Sequence, residues 1–61
     1  MNIIAKDILG KPLCVGNTVK LKNGREGIIT DIYSPDEISV KLYFKNVADS
    51  FSITDEQIQL F

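Results

Sequence analysis

The chain of 61 residues has no histidine, no tryptophan, one cysteine and two prolines, and it lacks any long apolar run. Each shortage closes a route. A single thiol, Cys14, and no imidazole leave no intrachain disulfide and no Cys/His zinc site to reinforce a small fold. General acid-base chemistry would fall to carboxylates or a perturbed lysine, and Cys14 has no activating partner near it in the sequence. Its neighbours Leu13 and Val15 suggest a buried, inert thiol. The adjacent acids Asp36-Glu37 and Asp55-Glu56 lack the alternating ligand spacing of a calcium loop and read as solvated turns. The expectation is a protein that is not an enzyme and has neither cofactor nor metal. A lone cysteine suits a reducing compartment, and neither a leader pattern nor a membrane-spanning run is legible, so a cytoplasmic location with no membrane contact is expected.

What remains must hold together by packing. A chain this short buries only about 60% of the surface its unfolded form exposes, so one domain with a small margin of stability is expected. The formal charge is −1 and the pI about 5.1, which argues against general affinity for phosphate backbones. The distribution is polarised, however. Lys11, Lys20, Lys22 and Arg25 fall in a stretch without acids, whereas residues from Glu26 to Phe61 hold seven acids against Lys41 and Lys45.

Apolar residues alternate from Val19 onward, the period of half-buried strands. Val19 and Leu21 face inward and Lys20 and Lys22 outward, and Asn23-Gly24 predicts a type I′ hairpin turn, whose two central residues need positive φ. The next strand runs from Arg25 to Ile32, with a bulge or bend expected at Gly27 because Ile28 and Ile29 are adjacent. Tyr33 to Glu37 reads as a five-residue loop around Pro35. Ile38, Val40, Leu42 and Phe44 then share an inner face, with Ser39, Lys41, Tyr43 and Lys45 outside. Matching faces pairs Ile32 with Ile38, Thr30 with Val40 and Ile28 with Leu42. A further strand spans Val47 to Ile53 with Phe51 and Ile53 inward. Thr54 to Gln57 has capping-box spacing and predicts one helical or 3₁₀ turn. A closing strand carries Ile58 and Leu60 on one side. Residues 1–16 form a lead-in in which Ile3, Ile4, Ile8 and Leu9 fit either a short helix stopped at Gly10 or an extended arm. Pro12 excludes a long helix, and the extended arm is preferred. The expected architecture is all-β, a small five-stranded SH3-like barrel over residues 17–61 with an N-terminal arm.

Asp7, Gly10, Leu13, Gly16 and Val19 stand at steps of three, as D-ILG-KPL-CVG-NTV, followed by KLKNGREGIITDI. This resembles the opening of small SH3-like barrels, including the C-terminal domain of PhnA-type proteins. Gly16, Val19, Gly24, Gly27 and Ile28-Ile29 also resemble a KOW motif, the strand-loop-strand of ribosomal and transcription-elongation barrels. The two matches cover Asp7 to Ile32, and these spacings describe a fold more than an activity. PhnA-type proteins carry a cysteine-rich zinc ribbon that has no counterpart here. Only Arg25 and Glu26 separate Gly24 from Gly27, where nucleic-acid-binding KOW barrels have a longer basic loop.

Two contact surfaces follow from the strand period. One, for a protein partner, comprises Tyr33, Tyr43 and the loop Ser34, Pro35, Asp36 and Glu37, with exposed aromatics as anchors. The other, for nucleic acid, comprises Lys20, Lys22, Arg25, Lys41 and Lys45 around Tyr43, where cations steer an anion and an aromatic stacks. The protein-interaction reading is preferred, and the small size suits an accessory factor of a phage or other mobile element. Free strand edges also leave room for a homodimer.

Overall fold

A computed structural model describes residues 3–61. The chain is all-β, in two antiparallel sheets. The small sheet pairs β1 (Ala5–Lys6) with β2 (Pro12–Leu13). The large sheet contains β3 (Thr18–Lys20), β4 (Glu26–Ser34), β5 (Glu37–Leu42), β6 (Ala48–Ser52) and β7 (Gln59–Leu60), in the order β6-β5-β4-β3-β7. Four consecutive strands therefore form a meander, and the last returns to lie beside the first.

One continuous core is built from the inward positions of this sheet: Val19, Leu21, Ile29, Ile38, Val40, Leu42, Ile53 and Ile58, closed by Ala5 and Leu13 of the small sheet. Phe51 and Leu60 pack against it half-buried. Val19, Leu21, Ile38, Val40, Leu42, Ile53 and Ile58 are positions that strand alternation selects, whereas Ile29, Ala5 and Leu13 are not; burial at about 1.5–3 kcal/mol per large side chain is the main favourable term.

The first hairpin turns where the sequence places it. Asn23 and Gly24 have φ of 67° and 81°, and the tight turn Lys22–Gly24 is closed below by Leu21 N donating to Arg25 O at 2.6 Å. Among the described residues the arm is extended, with no helix. Asp7 to Gly10 make a turn in which Gly10 N donates to Asp7 O, and Gly10 has φ of 84°. The predicted helical turn at Thr54 is a single turn: Glu56 N donates to Ser52 O, then Gln57 N to Thr54 O and Ile58 N to Ile53 O. Gln57 has φ of 51°. These last two bonds make a Schellman-type stop. No capping box forms, because the Thr54 hydroxyl is directed to Asp36 and Ser52.

Several expectations are corrected. The register is Ile32 with Ile38, as expected, but then Ile29 with Val40 and Gly27 with Leu42. The extra residue is Thr30, not Gly27; its hydroxyl donates to Ser39, whose side chain stays on the outer face as expected but is buried there. Gly27 is needed for a different reason: a Cβ there would stand 2.6 Å from Lys41 O and 2.7 Å from Val40 Cγ1. The strand pair comes closer than any side chain permits. A second shift between Ile32 and Ser34 allows Ser34 to pair with Glu37, so the loop is Pro35-Asp36, two residues rather than five. Phe44 lies outside because β5 ends at Leu42. Cys14 is exposed: Asn17 Oδ1 accepts from Cys14 N at 2.8 Å, Asn17 N returns a bond to Cys14 O, and this tight turn directs the thiol outward.

Candidate interaction surfaces

The arm is fastened to the sheet by one carboxylate. Asp7 is 5% exposed, and its Oδ1 accepts from Leu9 N at 3.0 Å and Lys11 N at 2.7 Å while Oδ2 accepts from Leu60 N at 2.8 Å. Burial alone would raise the Asp7 pKa. The three amide bonds, to Leu60, Lys11 and Leu9, together with the Lys11 charge, outweigh it and hold the group below its ordinary value. The sequence marks Asp7 only as the first residue of a spaced pattern; the signal for its role is an Asp opening a turn that ends in glycine.

A cleft of about 580 Å³ is lined by Ile3, Ile4, Pro12, Leu13, Cys14, Val15, Asp31 and Ile32. Ile4 and Val15 are 66% and 61% exposed. Leu13 alone among these residues is buried, because β2 directs it into the core while its neighbours face outward. The lining is mostly apolar, with one acid, Asp31. Strand alternation did not indicate it, because most of its lining lies in the arm, where the periodic signal is weak. The surplus of β-branched residues at Ile3, Ile4 and Val15, without polar partners in an alternating strand, was the available clue.

The predicted aromatic surface divides. Tyr33 stands beside the Pro35-Asp36 turn, whereas Tyr43 N donates to Glu26 O at the other end of β4. Seven residues of β4 separate those ends, about 20 Å at strand rise, so Tyr33 and Tyr43 do not form one site. The loop acids brace the fold: Asp36 accepts from the Ser52 and Thr54 hydroxyls, and Glu37 from that of Ser50. Ser34 Oγ accepts from the Asp36 and Glu37 amides.

The basic surface divides as well. Arg25 pairs with Glu56 at 2.8 Å and stands over the Phe51 ring at 5.8 Å, while Lys45 pairs with Asp49 at 2.7 Å. Lys20 and Lys41 remain on the outer face, where Thr18, Ile28, Lys41 and Ala48 form one cross-strand row and Lys20 pairs with Glu26 in the next. Tyr43 lies across this face with its hydroxyl 3.3 Å from Thr18 Oγ1, bordering a cleft of about 310 Å³ over Ile28, Thr30 and Lys41. Lys22 is exposed on the hairpin turn.

Among the described residues no group of three or more His, Cys, Asp or Glu side chains is placed to hold a metal ion, and no helix is long and apolar enough to cross a membrane. No family model, curated protein or solved structure matches the chain.

Proposed function

We propose that the chain is a non-enzymatic SH3-like binding module that holds a protein partner through the apolar cleft between its arm and β4. The SH3-like reading is supported by connectivity: a four-strand meander, a single turn, and a last strand that returns antiparallel to the first meander strand. The binding reading rests on one observation, the apolar cleft of about 580 Å³ with Ile4 and Val15 mostly exposed. Clustered apolar exposure of this kind occurs at contact surfaces. Its location moves the anchors from Tyr43 to the arm and leaves Tyr33 at the neighbouring end of β4. Nucleic acid is the weaker reading, since two of its five cations are committed to Glu56 and Asp49 and Glu26 stands beside Lys20.

Affinity capture from native extract, with wild-type protein and Val15→Asp run side by side at low and moderate salt, tests this. The expected result is a protein partner retained by the wild type at both salt concentrations and lost with Val15→Asp. Equal recovery by the variant would remove the cleft from the reading. Retention of nucleic acid that collapses at moderate salt would transfer the function to the lysine face.

A further inference from the structure

The two edges of the large sheet are finished differently. On β7 the Leu60 amide is taken by the Asp7 carboxylate and the Ile58 carbonyl accepts from Ile8 N at 3.2 Å. Among the described residues nothing comparable covers the β6 backbone. The direction of its free groups follows from the ladder. Ile53 N donates to Asp36 O at 2.7 Å, and hydrogen-bonded pairs alternate in an antiparallel ladder. Phe51 with Ile38 and Asp49 with Val40 therefore exchange bonds with β5, and the N–H and C=O groups of Ala48, Ser50 and Ser52 point away from the sheet. The Ser52 carbonyl confirms that direction by accepting from Glu56 N at 3.0 Å. Among the described residues the outward groups of Ala48 and Ser50 have no partner. The strand contains no lysine, proline or bulge to blunt it, and its one charge, Asp49, is neutralised by Lys45.

We infer that β6 pairs antiparallel with β6 of a second copy, centred on Ser50, to join two sheets across a two-fold axis. This proposal is independent of the arm cleft. Among registers that match outward groups to outward groups, the one centred on Ser50 alone overlaps the whole strand. It pairs Ala48 with Ser52 of the second copy and places Asp49 opposite Phe51. Centring on Asp49 would oppose like charges. The same symmetry carries the loop holding Lys45 toward the turn holding Asp55 of the other copy, twice per dimer, so Lys45, bound to Asp49 within its own chain, is shared with a second carboxylate and the flanks are complementary in charge. Exposed Phe44 and Val47 lie in that loop and add apolar area beside the strand. Five paired residues bury less than the roughly 1,200 Å² of a stable interface, so the dimer is weak, populated at hundreds of micromolar and dissociated at low micromolar concentration.

Sedimentation or light scattering of the full chain across that range is the test. Ser50→Pro removes an outward amide and no ladder bond within the subunit, so it leaves the circular-dichroism spectrum β-rich and weakens the dimer about tenfold or more. Asp55→Lys, at an exposed position, weakens it about fivefold, as the loss of two exposed ion pairs allows. A wild-type chain that stays monomeric at hundreds of micromolar, or a dimer indifferent to Ser50→Pro, would overturn the inference.

Discussion

The arm and the sheet are held by different forces. From β3 to β7 the chain is organised by alternate side chains entering one core, and Ile29, Ile38, Val40 and Leu42 are essentially inaccessible to solvent. Among the described residues the arm gives that core only Ala5 and Leu13. Its attachment is largely polar, concentrated in Asp7, which joins the turn at Leu9 and Lys11 to β7 through Leu60. The apolar side chains the arm does not bury line the cleft. A sheet that satisfies its own packing needs no further surface, whereas an arm tied by a carboxylate can keep its apolar residues free for contact.

The comparison breaks most forcefully at the sheet. Gly27→Ala places a methyl group against the Lys41 carbonyl and the Val40 side chain, which forces β4 and β5 apart. The expected loss is about 3 kcal/mol, comparable with the whole stability of a domain this size, roughly 3–9 kcal/mol. Thermal unfolding should show a cooperative fall; an unchanged midpoint would mean the strands relax without cost.

Asp7→Ala should act on the arm first. It strands three amide donors and costs about 2–3 kcal/mol, with amide exchange rising at Leu9, Lys11 and Leu60 before it rises in β4 and β5. The pH dependence carries the same signature. The folded Asp7 pKa lies below its unfolded value, so its contribution is complete above the unfolded pKa of about 3.9 and is lost as pH falls through the folded value. Wild-type stability therefore drops in acid, and Asp7→Asn, already weaker at neutral pH, shows a shallower drop over that range. Parallel acid curves would deny Asp7 its role.

The smallest effect sharpens the hairpin. Gly24→Val imposes a β-branched residue at φ of 81°, where no atom lies within 4 Å of the added Cβ. The cost is conformational alone, about 1 kcal/mol, read as a small shift in the unfolding midpoint.

Alternation and turn chemistry made much of the sheet legible. Val19, Ile38, Val40, Leu42, Ile53 and Ile58 were each placed by neighbours of opposite polarity, and Asn23-Gly24 by its need for positive φ. Legibility failed where a residue's parity depended on a partner. Ile28-Ile29 permits either face, and only the Thr30 hydroxyl meeting Ser39 across the strands put the bulge after Ile29. Phe44 was extrapolated from a strand that had already ended. The tyrosine and lysine surfaces were read from parity, which specifies a face but not a position along it, so residues at opposite ends of β4 were grouped together.

By itself the sequence determined which side chains enter a core and where the chain reverses, because both depend on neighbours within a few positions. The tertiary structure decided the bulge at Thr30, the close approach at Gly27, the fastening at Asp7 and the cleft between the arm and β4. Each depends on groups distant in sequence brought within bonding range: Asp7 and Leu60 are 53 positions apart, and no local pattern records that a carboxylate at one end will meet an amide at the other.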